Sequence, residues 1–476
     1  MPQGHKLSLL ELVGLVIGAI IGGGVFNIMH DIAVGAGPGA VIIGWIITAV
    51  GMLSLAFTFQ NLTQQRSDLD AGVFSYAEAG FGKYMGFNSA WGYWLSTLLG
   101  TVGYATLLMS AVAYFLPIFG NGQNIWSILV ASVVLWGCHF MILRGIESAS
   151  FINVIITIAK LIPIFLFILI MIISFRLNIF TADFWFTNNE HFELNDVLSQ
   201  VRSTMLVTVW VFIGIEGAVV FSSRAKKRSD VGKATVLGLS IVILIYMLIT
   251  LLSFGVMKQS GLSHLSQPAM AALLEKVVGK WGAIVVNLGL IISVAGAWLS
   301  FTMFAGQLPY EAAKVGTFPK FFTRDNQNGA PVNSLIVTNV VVQLFMFTFL
   351  FTSSAYNLFY SIASSAILIP YAFSAFYQLK YSIQTDRSPK QIKNIIIGVV
   401  ASVYTCWLLF SAGIHFILLI SILFMFGIPV FYYLQKYDNH HSHIFKWYEK
   451  IIALAILILG IYSLLGLFLG YTSFSY

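Results

Sequence analysis

The sequence predicts an all-α polytopic membrane protein built from two inverted repeats of five spans (5+5), with additional C-terminal helices. Three observations carry that prediction. The 476-residue chain is 58% hydrophobic and only 9% charged, with a mean hydropathy of +0.87, whereas soluble chains carry about a quarter charged residues. Many separate windows exceed the roughly 20 apolar residues that cross a bilayer. Two of those windows, five spans apart, are interrupted by glycines. Continuous runs of this length exclude an outer-membrane barrel, whose strands alternate over about ten residues.

Thirteen spans are expected, at 9–34, 40–62, 84–117, 125–143, 146–175, 203–222, 232–256, 281–308, 332–352, 357–379, 393–412, 414–435 and 451–472. The first follows MPQGHK without a small-residue cleavage motif and outruns a signal peptide's apolar region, so it reads as a mature span. The third is long enough to include an extramembrane turn. Ser411-Ala412-Gly413 marks a tight turn between the eleventh and twelfth, where a miscount would give twelve.

Charge orients the chain. With the N-terminus inside, nineteen of the 25 lysines and arginines fall at cytoplasmic ends, and five fall outside. The positive-inside rule then places the N-terminus in the cytoplasm of a multi-pass inner (cytoplasmic) membrane protein. The +7 net charge sits mainly in segments such as RAKKRSDVGK and KYDNHHSH. Such segments are a solvated face meeting anionic lipid headgroups, so membrane lipids are expected partners and nucleic acid is not. Cys138 and Cys406 both fall in spans, leaving no disulfide framework. The histidines of DNHHSH read as a soluble inner loop. No metal and no cofactor is expected, and no catalytic arrangement or ATP-binding motif is present, so the chain is not read as an enzyme. Outside, 176–202 carries belt-like aromatics, and PAMAALLEKVVGKWG reads as a short amphipathic helix across the outer mouth.

The interrupted spans organise the rest. The first contains GAIIGGGVF; the sixth contains VWVFIGIEGAVVFSS, where Gly214 and Gly217 bracket Glu216. Elements five spans apart cross in opposite directions, so 1–175 and 203–379 form two inverted repeats, with 393–472 outside them. Paired interruptions point to the substrate site of a secondary transporter. Gly22, Gly23 and Gly24 free the backbone and leave N–H groups bare at the start of the next half-helix, which suits a substrate carboxylate. Close helix packing is the other explanation of such a run.

Glu216, a carboxylate inside an apolar span, marks a functional position facing a substrate amine, a gate or a proton, with a structural hydrogen bond across the helix break as the other explanation. Lys160, in INVIITIAKLIPIF, is the one basic residue well inside a span. It must pair, point into a cavity, deprotonate or snorkel. Tyr93 and Trp94, Trp210, and Trp298 in VAGAWLSFT are candidate aromatic contacts or lids for a cationic substrate, although in a chain that is 15% aromatic lipid contact or core packing is the commoner explanation of any single ring. Tyr356, Tyr360, Thr101 and Asn287 are weaker lining candidates. His30 and Asp31 follow the first break as a pH-responsive or simply interfacial pair.

Together, GAIIGGGVF, PGAVIIGW, AGVFSYAEAGFGKYMGF, FIGIEGAVVFSSRAKKRSDVGKAT and PYEAAKVGTFPKFF resemble the amino acid–polyamine–organocation superfamily. Within it, the chain is similar to the basic amino acid and polyamine antiporters. The resemblance covers the chain through the tenth span. It implies a central site between spans one, three, six, eight and ten, with the carboxylate on Gly22–Gly24. Trp210 or Phe212 would contact the aliphatic part, with Thr101 lining the site. Tyr93 and Trp298 would act as outer and middle gates, Trp298 also contacting substrate. Glu216 would serve gating and proton-sensitive steps, and Lys160 would stand in for a sodium ion or couple to protons. Two departures stand out: Gly23 replaces a serine of several members, and Thr101 an asparagine of arginine/agmatine exchangers.

The expected activity is exchange of a basic amino acid for ornithine or for a decarboxylated amine, as in histidine/histamine exchange. Proton-coupled uptake is the alternative within transport. A membrane nutrient sensor or complex subunit is the alternative outside it. A homodimer is compatible with all three.

Overall fold

A computed structural model describes residues 8–66, 68–69, 72–145, 150–186, 193–215, 228–352, 355–385, 389–439 and 444–469. Every regular element among them is a helix. The first half of the chain contains α1 (Leu9–Ile20), α2 (Ile28–Ala33), α3 (Pro38–Gln65), α4 (Val73–Phe81), α5 (Lys83–Ala113), α6 (Ile125–Leu143), α7 (Ser150–Ser174) and α8 (Leu177–Ala182). Then come α9 (Leu194–Phe212), α10 (Arg228–Val256), α11 (Gln259–Leu262), α12 (Ala269–Val278) and α13 (Lys280–Lys314). The chain continues with α14 (Val332–Met346), α15 (Ala355–Gln384), α16 (Gln391–Met425), α17 (Gly427–Tyr433) and α18 (Trp447–Leu469).

Nine helical stretches among the described residues are long and apolar enough to cross a membrane. One of them, Gln391–Asp438, has 48 residues. As a continuous helix it would run about 70 Å, more than twice the roughly 30 Å hydrocarbon core. It is therefore two crossings. The joint is Gly413, whose φ of 75° and ψ of 162° lie outside any helix and suit a residue without Cβ. With that stretch counted twice, ten crossings lie among the described residues, and the expected first, fifth and sixth spans fall on α1 and α2, α7 and α9.

Local chemistry sets several boundaries. Pro38 opens α3 at a position where its missing N–H costs nothing. The Asn124 side chain caps α6 by accepting from the Ser127 amide at 3.0 Å. The third span has no internal turn: α5 runs unbroken for 31 residues, and the turn follows it at Pro117–Phe119. The sixth helix starts at Leu194, nine residues before hydropathy places it. Its polar first turns are tolerated because Gln200 is satisfied. The Gln200 amide donates to the Trp185 carbonyl at 2.7 Å, and its oxygen accepts from the Gly37 amide at 2.9 Å.

The chain divides into two compact units. The first comprises Met1–Ser67, Val154–Val294 and Gln378–Ser411. Within it α3 and α9 run parallel: Gly44 lies against Thr204, and Thr48 donates to Thr208 at 3.2 Å. α3 and α10 run antiparallel, with Trp45 donating to Thr250 at 2.9 Å and Gly232 against Gln60. Small residues at these crossings let backbones approach closely.

The second unit comprises Asp68–Asn153, Ala295–Tyr377 and Ala412–Tyr476. Here α5 meets α13 through Tyr93–Phe304 (5.6 Å between centroids) and Tyr104–Phe301 (4.9 Å), in opposite chain order. α6 meets α14 through Trp136–Gln343 and His139–Asn339, both at 3.1 Å and again in opposite order. The pairs α3/α10, α5/α13 and α6/α14 are each five spans apart, and each runs antiparallel.

The thirteenth span is stitched to the third by a buried acid. Glu449, 2% exposed, accepts from the Tyr84 amide at 3.2 Å through one carboxylate oxygen and from the Lys446 amide at 2.8 Å through the other. It thereby covers the otherwise bare N-terminus of α5, where a negative group is favoured. Glu449→Ala leaves the buried Tyr84 amide unsatisfied, at about 1–3 kcal/mol, and removes the partner of the partly buried Lys446 amide. The expected outcome is a thermal unfolding midpoint in detergent lowered by several degrees, with Glu449→Gln recovering part of the loss.

Candidate functional site

The first span is broken where the glycine run falls. α1 ends at Ile20; the chain passes through Gly22 and Gly23, makes one 3-10 turn at Gly24–Phe26, and resumes as α2. Gly23 is in ordinary right-handed helical space, with φ −72° and ψ −28°. Its dihedrals would accept a side chain. Gly24 is different: a Cβ there would lie 2.7 Å from Trp210 Nε1 and 3.0 Å from Val211 Cγ1. The indole at the end of α9 thus packs directly on the backbone of the first break. Among the described residues, the amides of Gly22, Gly23 and Gly24 meet no acceptor, and they open the second half-helix. Bare amides at such a start favour an anion.

The sixth span breaks correspondingly. α9 stops at Phe212, Ile213 leaves helical space at ψ 130°, and Gly214 takes a φ of 106°. A Cβ on Gly214 would sit 3.2 Å from the Ala19 carbonyl oxygen, so the two interruptions approach each other within the first unit. Glu216 lies outside the described residues.

Breaking α1 strands its last carbonyls, and Lys160 takes two of them. The side chain, 4% exposed, donates to the Gly18 carbonyl at 2.6 Å and the Ile21 carbonyl at 2.8 Å. A cation at the negative end of a half-helix is doubly favoured, by hydrogen bonds and by the dipole. Among the described residues Lys160 is the only buried lysine or arginine. Of the choices open in the sequence, the geometry is that of a paired amine.

The two aromatics ending α9 part ways. Phe212 is fully buried between Trp45 (6.3 Å) and Tyr246 (5.4 Å) in the interior of the first unit. Trp210 is the ring that covers Gly24. His30 and Asp31 form a buried pair, Nδ1 to Oδ1 2.9 Å. Beside them Asn27 accepts from the Ala269 amide at 2.8 Å and so caps α12, the helix in PAMAALLEKVVGKWG.

Tyr93, Thr101 and Trp298 belong to the second unit. Tyr93 packs on Phe304, and Thr101 turns back to its own helix at 3.0 Å. Trp298 is fully buried, and among the described residues its indole N–H meets no hydrogen-bond partner. Tyr356 and Tyr360 pack on each other, and Asn287 bonds its own helix at Ala283. Sequence reasoning missed Tyr246, whose hydroxyl reaches the Ile20 carbonyl at 3.3 Å; a lone tyrosine in an apolar span carries no local signal.

A family model described as amino acid permease matches residues 7–470. The chain is 47% identical over 477 residues to the arginine/ornithine antiporter of Pseudomonas aeruginosa, covering 98% of each. It is 43% identical over 464 residues to the arginine/ornithine antiporter of Latilactobacillus sakei, covering 98% of this chain and 97% of the other. It is 42% identical over 469 residues to an arginine/agmatine antiporter of Chlamydia trachomatis, covering 97% and 96%.

Two substitutions test the first-span geometry. Gly24→Ala pushes the indole of Trp210 off the break and is expected to raise the KM for substrate at least about tenfold in reconstituted vesicles. Lys160→Met bares two carbonyls, at about 1–3 kcal/mol each. Both transport and the thermal midpoint are expected to fall, and normal values of both would remove Lys160 from the site.

Proposed function

The chain belongs to the amino acid permease family, and from that premise we propose that it exchanges a cationic amino acid for its metabolic product, arginine for ornithine. It is a secondary-active amino acid transporter in a multi-pass membrane setting, not an enzyme. The observation that supports sodium-independent exchange is the Lys160 amine on the Gly18 and Ile21 carbonyls. A fixed cation there supplies the charge that a bound sodium ion would supply, so transport need not follow a sodium gradient. Two full-length relatives named arginine/ornithine antiporter support that substrate pair.

In this reading the bare amides of Gly22–Gly24 receive the α-carboxylate common to arginine and ornithine, and Trp210 covers its aliphatic stem. Tyr93 and Trp298 act as aromatic gates, Thr101 lines the path, and Glu216 serves gating. The two substrates carry equal charge at neutral pH, so one-for-one exchange moves no net charge. An amine product lacks the carboxylate that the first break is suited to hold. The two halves of the transport core are 1–175 and 203–379, with 393–472 added to them. The N-terminus lies in the cytoplasm, as the lysine and arginine distribution favours.

A counterflow screen of purified protein in vesicles tests this. Arginine uptake should require internal ornithine and survive collapse of the proton gradient. Strong uptake into empty vesicles driven by that gradient would sink exchange in favour of proton-coupled uptake. Glu216→Gln and Trp298→Leu should each lower exchange at least about tenfold with little change in folding; normal exchange by both would remove them from the mechanism.

A further inference from the structure

Resting on the assignment of Gly22–Gly24 to the substrate carboxylate, we propose that Tyr246 is a positioning residue that ties the two helix breaks together. Its hydroxyl lies 3.3 Å from the Ile20 carbonyl and 3.3 Å from the Val211 carbonyl. Ile20 is the last residue of α1, and Val211 is next to last in α9. Both carbonyls are therefore among those a helix end leaves without an intrahelical donor. A phenol has one proton to donate, and the two acceptors are equally distant. The hydroxyl is within donating reach of the carbonyl ends of both the first and the sixth span, one from each half of the chain.

The ring has no freedom to leave. Tyr246 is fully buried, with Phe212 at 5.4 Å and Trp45 at 6.4 Å between centroids. Trp45 is held by its hydrogen bond to Thr250, one turn further along α10, and Thr250 donates in turn to the Tyr246 carbonyl at 2.8 Å. The approach of α10 to α1 also depends on a missing side chain: a Cβ at Gly238 would lie 2.6 Å from Val16 Cγ1.

What the hydroxyl holds apart and together is the spacing of the two breaks. Two residues beyond Ile20 the glycine run begins, and beside Val211 is Trp210, which packs on Gly24. Without the hydroxyl, the Ile20 and Val211 carbonyls lose the donor that reaches both of them, and the spacing of the breaks relaxes. Trp210 then moves from Gly24, and the amides of the run lose their common aim. The substrate never touches Tyr246; its affinity depends on it.

Tyr246→Phe keeps the ring and removes only the hydroxyl. In vesicles, exchange by this variant should show a KM for amino acid raised about fivefold or more, with Vmax within about twofold of wild type. Adding Tyr246→Phe to Gly24→Ala should raise KM by less than about twofold further, because both act on the spacing of Trp210 and Gly24. Thr250→Val, which frees Trp45 and lets the phenol shift, should raise KM in the same direction and provides the measurement if the phenylalanine variant folds poorly. A KM unchanged from wild type, a loss confined to Vmax, or full additivity with Gly24→Ala would each overturn the proposal. A wild-type protein that exchanges no amino acid would instead overturn the assignment of the carboxylate site, and this inference with it.

Discussion

The ammonium of Lys160 against the carbonyls of Gly18 and Ile21 is the contact on which the first unit depends. Hydrocarbon offers no water to a stranded backbone group, so a helix can stop inside a membrane only where protein supplies partners. α1 stops there. Its carbonyl end is negative, and a buried lysine is the strongest donor available to it, while the carbonyl end is in turn what makes burying the lysine tolerable. Neither half of the arrangement is affordable alone.

Once the carbonyls are covered, the amides on the far side of the break are left bare, and that asymmetry is what makes the interruption chemically useful. The donors Lys160 and Tyr246 satisfy the end of the first half-helix, while nothing among the described residues satisfies the start of the second. The result is a small region of unspent hydrogen-bond donors in an apolar setting, where an anionic group gains most. Gly24 and Gly214 serve the same end by subtraction. The first lets an indole lie on the backbone, and the second brings the sixth-span break up to Ala19.

The second unit is held differently. Its helices meet through aromatic pairs such as Tyr93–Phe304 and Tyr104–Phe301, and through polar contacts such as Trp94 to Thr338 at 3.0 Å. Glu449 closes the N-terminus of α5 from the last helix of the chain. The added C-terminal span is therefore bonded to the helix that carries Tyr93 and Thr101.

Hydropathy and glycine placement were enough to read the helical class, both interruptions, the Gly413 joint and the candidate lysine, because each is a property of a short window. The start of α9 was misplaced by the same logic, since a polar turn looks external until Gln200 is seen bonded to Trp185 and Gly37. Which aromatic of α9 faces the break was also illegible: Trp210 and Phe212 are two residues apart, and only packing sends one to Gly24 and the other to Trp45. Lys160 and Gly18 are 142 residues apart, and Tyr246 and Ile20 are 226. The sequence by itself determined where the backbone must break and which residues need a partner. The tertiary structure decided the partners, because a hydrogen bond depends on ångströms of separation between segments whose order along the chain says nothing of their distance in space.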